Sequence, residues 1–197
     1  MDLITAEEKL SEYSADIYSC IINGFSNGYL FLKERKHILT STTQSNIIRD
    51  FIIEEARNTF SCDMIHRGRG NIILLKTDGY LIRFKKFDKR KLARNVKTSQ
   101  ALNYSNQINI PGIQPSVHLN AGYILDETKS SIDNVYITCP SSLYSNNWII
   151  NLRYYIENNN KIPLPPIVEL VENINTIKIS VKKEAVQNRE FIKTANE

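Results

Sequence analysis

Apolar positions recur at helical spacing over residues 1–60 and alternate over much of 62–152, so the chain reads as helices followed by strands. Leu10, Tyr13, Ile17, Cys20 and Ile21 form one helical stripe, which Thr5 and Glu8 open as a capping box and which ends near Gly24. Phe25, Tyr29, Leu32 and Leu39 continue the pattern as a second helix. Thr40-Ser-Thr-Thr43 is a polar break rich in N-cap residues. Gln44 to Phe60 is the clearest helix. Ile47, Ile48, Phe51 and Ile52 mark the side expected to dock on a sheet, and Arg49, Asp50, Glu54 and Arg57 mark its polar face.

Beyond Phe60 the period changes. Arg67-Gly-Arg-Gly70 predicts a turn or a loose strand. Asn71 to Lys76 and Tyr80 to Lys86 flank Thr77-Asp78-Gly79, and an Asp-Gly between two apolar runs predicts a hairpin. In the second run Tyr80, Ile82 and Phe84 share the core face, while Leu81, Arg83 and Lys85 share a face expected to be wet and positive. A short helix follows at Thr98 to Tyr104, then a turn-rich connector at Ile110 to Pro115. Val117 to Leu125 and Asn134 to Cys139 predict an antiparallel pair, and Asn147 to Leu152 a third strand carrying Trp148, expected in the core. The expected fold is α+β: N-terminal helices packed on an antiparallel or mixed β-sheet built from hairpins. Residues 1–161 read as one α+β domain, helical over 1–60 and β-rich over 62–152. Residues 162–197 read as a Pro-rich linker and a C-terminal appendage, with an edge strand at 176–181 and a weak helix at 184–194.

Charge sharpens this picture at one place. From Arg83 to Lys97, eight residues are basic and only Asp88 is acidic, a net +7 in a chain of net +4, so the remainder sums to −3. A concentrated cationic strip on an otherwise near-neutral chain points to an anionic partner. Phosphate contacts need long cationic side chains in a row but no fixed spacing. The candidate nucleic-acid-binding residues are therefore Arg83, Lys85, Lys86, Lys89, Arg90, Lys91, Arg94 and Lys97, joined by Arg67, Arg69 and Lys76 if the hairpin brings them close. Phe84 and Phe87 interleave with the cations, a pattern suited to stacking on single strands. The alternatives for the same residues are an acidic protein partner and a solvated, lysine-guarded edge strand.

Other chemistry finds little support. Cys20, Cys62 and Cys139 are far apart and form no C-x-x-C pair, which reads as reduced, mostly buried thiols in a cytoplasmic protein. The N-terminal residues lack the pattern of a signal peptide, and apolar runs fall well short of the ~20 residues of a membrane span. His37, His66 and His118 are isolated, so no metal site and no cofactor are expected. The element order does resemble that of the PD-(D/E)XK nuclease superfamily, with Glu55 as its helix acid and Asp63 or Asp78 as its strand acid. Arg83 stands where the next metal-binding carboxylate of that pattern belongs, and Mg²⁺ needs hard oxygen ligands.

A second resemblance covers residues 37–152. Arg67-x-x-Gly70, Ile82-Arg-Phe-Lys-Lys-Phe-Asp88, Thr98-x-Gln-Ala101, Ile110-Pro-Gly112, Gly122-Tyr-Ile-Leu-Asp126 and Trp148-Ile-Ile are together similar to an uncharacterised family of small bacterial proteins. The resemblance implies a companion of a helix-turn-helix regulator and a metallopeptidase in a prophage, defence or toxin–antitoxin-like locus, with no assigned activity to carry over. The expected function is non-enzymatic binding of nucleic acid or an acidic protein partner, such as a co-encoded regulator. The alternative is a toxin-like or degenerate nuclease-type enzyme.

Overall fold

One helix, α1 (Leu3–Leu32), takes up the first apolar stripe and the second as far as Leu32, while Leu39 lies beyond it in the bend before the next helix. The computed structural model of the protein describes residues 2–35, 37–68 and 73–159. Arg69, the start of the first hairpin run at Asn71, and everything expected from residue 162 onward lie outside the described residues. Gly24 does not end the helix. A Cβ there would sit 2.4 Å from Ile52 Cα, and one on Gly28 would sit 3.0 Å from Ile48 Cα. Four residues apart, the two glycines lie on one helix face and let a second helix approach at backbone distance. The cap also differs from the expected box. Asp2, not Thr5, is the N-cap, and its carboxylate accepts the Thr5 N–H at 2.8 Å, favoured by the positive helix end.

Helix α2 (Ser41–Thr59) starts at the expected polar break, with the Thr40 hydroxyl accepting from Thr43 N–H. It runs back along α1 as a helical hairpin. Its buried residues are Ile48, Ile52, Ile53 and Ala56, so the docked face is rotated from the expected one. Ile47 and Phe51 are only half-buried, and Phe51 meets Phe31 of α1 at a ring distance of 5.6 Å. The partner of this helix is principally α1 and not the sheet.

Among the described residues six strands follow: β1 (Ile65–Arg67), β2 (Ile73–Thr77), β3 (Tyr80–Lys86), β4 (Val117–Leu125), β5 (Ile132–Pro140) and β6 (Asn146–Asn151). They lie in the sheet in chain order. The β2–β3 hairpin turns at Asp78-Gly79 as expected, with Gly79 at φ 83°. Every neighbouring pair is antiparallel except β3 and β4, which are parallel in the register Tyr80↔Val117 to Lys86↔Tyr123. A parallel pair needs a crossover, and residues 87–116, with helix α3 (Ser99–Ser105), supply it. Thr98 caps α3 through its hydroxyl. Helix α4 (Leu152–Asn159) closes the described fold.

Both sheet faces are covered. Tyr80, Ile82, Phe84, Leu119, Ala121, Ile137 and Ile150 belong to the main core with α1, α2 and α4. Trp148 lies in that core as expected. The opposite face of β3, expected to be wet, lies beneath the crossover. Leu81 is buried there with Leu74 and Tyr104, and Arg83 and Lys85 are half-buried. Alternation along a strand separates its two faces but does not say which of them meets water.

Candidate functional site

The basic strip divides into three places. The first is the loop after β3, which Asp88 organises. Its Oδ1 accepts the backbone N–H of Arg90 at 2.8 Å and of Leu92 at 3.0 Å. Its own N–H donates to Leu92 carbonyl, and Lys91 N–H donates to Asp88 carbonyl. Lys91 takes φ 62°, a left-handed conformation that the closed turn imposes. Phe87 pairs with Ala93, and Arg94 N–H donates to Lys86 carbonyl, so the loop grows directly out of the strand. Lys91 lies over the Tyr136 ring at 5.0 Å, and Asn146 Nδ2 donates to Lys91 carbonyl.

This leaves Lys89, Arg90, Arg94 and Lys97 exposed on a braced loop. The Lys89–Glu127 pair, at 3.7 Å between side chains 87% and 92% exposed, is worth little. Lys97 leans on the Tyr144 ring at 5.3 Å. Phe84 and Phe87 do not interleave with these cations at the surface. Both are buried in the fold, so neither offers a stacking platform.

The second place is the end of β3, where Lys85, Lys86 and Arg49 of α2 line one small hollow. Among the described residues neither Lys85 nor Arg83 has an ion-pair partner. Burial, followed by repulsion from Arg83 and Arg49, lowers the Lys85 ammonium from 10.5 to about 7. The unfolded chain therefore binds more protons than the folded one between these values, and stability rises with pH across that window. Lys85→Met is expected to flatten this rise and to be more stable than the parent at pH 7 by about 2 kcal/mol, discounted from the full shift because the side chain still meets some water. Urea titrations at pH 7 and pH 9.5 check it, and an unchanged slope in the variant would refute it.

The third place is a cleft of about 620 Å³ bounded by β1–β3 on one side and by α3 and the loop after it on the other. Arg83 lines it from the sheet and lies 4.8 Å over the Tyr104 ring. That ring is pinned. Its hydroxyl donates to Leu81 carbonyl at 2.7 Å and Leu119 carbonyl at 2.6 Å, spanning the parallel seam, and it stacks on His118 at 4.6 Å. Burial holds His118 below its ordinary range, hence neutral near pH 7. Arg67 from β1 reaches the same cleft. Lys76 is exposed on β2 and is not part of its lining.

No local pattern marked Arg49, Tyr104 or His118, because each acts through a neighbour remote in sequence. Asn120 and Thr138 were also missed. Asn120 pairs in register with Arg83 on one side and with Thr138 on the other, and the Asn120 Oδ1 and Thr138 Oγ1 atoms are buried with no hydrogen-bond partner among the described residues. The acids of the nuclease pattern are placed apart in role. Glu55 accepts from Asn27 Nδ2 at 3.0 Å, Asp63 precedes β1, and Asp78 sits in the hairpin turn. Among the described residues, no group of three or more His, Cys, Asp or Glu is placed to hold a metal ion. Cys20 and Cys139 are buried thiols, and Cys62 is exposed. Among the described residues no helix is long and apolar enough to cross a membrane.

No family model, curated protein or solved structure matches the chain. The functional reading therefore rests on the residues themselves.

Proposed function

We propose that the protein is a non-enzymatic binding protein that grips the phosphate backbone of nucleic acid through the loop following β3. One observation carries this reading. Lys89, Arg90, Arg94 and Lys97 project from a braced loop whose only acid, Asp88, is engaged by backbone N–H groups through Oδ1 and by the exposed Arg90 guanidinium through Oδ2 at 3.5 Å. A fixed row of cations with its internal counter-charge already used is what sequence-independent phosphate contact requires. The resemblance to small bacterial proteins supports a place in a prophage, defence or toxin–antitoxin-like locus. Three thiols without a disulfide among them support a reducing cytoplasm.

A titration against DNA and RNA at two salt concentrations, with and without Mg²⁺, tests this. Lys89→Ser/Arg90→Ser/Arg94→Ser is expected to shallow the slope of log K against log salt by roughly three units and to weaken binding to all sequences alike. Its melting temperature should match that of the parent, since the three side chains are not in the core. Absence of binding at low salt, or an unchanged slope, refutes the nucleic-acid reading. A pull-down of an acidic protein that the triple variant loses would then explain the same residues. Cleaved nucleic acid in the Mg²⁺ arm would refute the non-enzymatic part.

A further inference from the structure

We infer that the cleft between β1–β3 and α3 binds a single nucleoside phosphate, its phosphate held by Arg83 and Arg67 and its base held between the apolar wall and the asparagines of the rim. The inference deepens the phosphate-binding reading above, but it stands on different residues.

The volume, about 620 Å³, is that of a small-molecule pocket. Arg83 is the decisive group. It is half-buried and has no carboxylate partner among the described residues. A cation drawn out of water without a counter-ion is unfavourable, and an anion entering the cleft offsets that. The guanidinium is also held in place before any ligand arrives, because it rests on a tyrosine ring fixed at its hydroxyl and its face. A planar, preset fork matches phosphate oxygens well and loses little freedom on binding.

The rest of the lining describes the body of the ligand. Leu74, Ile108 and Pro111 offer an apolar wall, while Asn103 and Asn109 offer side-chain amides. An amide presents a donor beside an acceptor, the pattern that meets the edge of a nucleobase. An inorganic anion would use the arginines and leave the wall and the amides idle. A purely apolar ligand would leave Arg83 uncompensated. A flat heterocycle joined to a phosphate uses both.

Calorimetry of the full chain should be run with inorganic phosphate, ribose 5-phosphate, the four nucleoside monophosphates, and short oligonucleotides with and without a 5′-phosphate. At least one monophosphate is expected to bind roughly tenfold or more tighter than inorganic phosphate. Arg83→Gln should weaken it by roughly tenfold or more, from loss of a charge-assisted bond. Lys89→Ser/Arg90→Ser/Arg94→Ser should leave the monophosphate affinity unchanged, which separates failure of the cleft from failure of the loop. Asn103→Leu, at an exposed helix position, gives a second readout that does not depend on Arg83 folding effects, and it should erode the preference for base over ribose 5-phosphate. A 5′-phosphorylated strand that outcompetes the free monophosphate identifies a strand end as the source. The reverse order identifies a free nucleotide. The inference is overturned if no monophosphate binds at millimolar concentration. It is equally overturned if inorganic phosphate binds as tightly as the nucleotides, or if Arg83→Gln and Asn103→Leu both bind like the parent.

Discussion

Replacing Gly122 with alanine is expected to lower the melting temperature by roughly 10 °C. A Cβ at this position would lie 1.8 Å from the Lys85 carbonyl oxygen and 2.8 Å from its carbonyl carbon. Both are backbone atoms of the adjoining strand, so no side-chain rotation relieves the clash. Strands β3 and β4 must move apart at the point where Phe87 N–H donates to Tyr123 carbonyl at 2.9 Å. Overpacking of this kind costs typically 1–3 kcal/mol, and a backbone obstacle puts it at the upper end or beyond. Thermal denaturation followed by circular dichroism checks it. A melting point within 2 °C of the parent would show that the seam gives way easily, at about the 0.5–1 kcal/mol that such a shift represents in a chain of this size.

Tyr104→Ala is expected to cost about 3–5 kcal/mol, the range for truncating a buried aromatic side chain. Four separate contacts go with the side chain. They are two carbonyl hydrogen bonds across the parallel seam, the stack on His118, and the surface beneath Arg83. Tyr104→Phe removes only the hydroxyl and should cost about 1–3 kcal/mol for the two carbonyls left without it. The pair of variants apportions the effect. If Phe restores most of the stability lost in Ala, ring packing dominates. If Phe and Ala melt together, the hydroxyl clamp does. Nucleotide affinity should follow the ring, so Phe should retain binding that Ala loses. An Ala variant as stable as the parent would refute the assignment of Tyr104 as the brace of the crossover.

What was legible in the sequence was local. The Asp78-Gly79 turn, the polar break at Thr40, the short helix after Thr98 and the β4–β5–β6 meander each depend on residues within one hairpin or one helical turn. What was not legible depends on a partner far along the chain. Gly24 reads as a breaker until Ile52 is set against it, because a glycine that admits a neighbouring backbone looks like one that ends a helix. The rotated face of α2 has the same origin, since its partner is another helix and not a flat sheet. Alternation in β3 separated Arg83 and Lys85 from the core correctly. It could not show that the crossover would lie over them. The exposed cations of the loop were legible by charge alone, whereas the cleft needed Arg67, Arg83 and Asn103 to be assembled from three elements.

The one parallel pairing also orders events in a growing chain. Strands β1–β3 leave the ribosome as a hairpin unit whose β3 edge has no partner until residues 87–116 have been made and β4 has folded back. Closing that long connection is slower than forming either hairpin. During the interval the open edge of β3 resembles the template on which nascent chains aggregate. Lys85 and Lys86 stand on that edge and are still fully hydrated there, charged and mutually repelling between copies. The same two lysines whose charge burial later disfavours would first keep one unfinished chain from adding itself to the next.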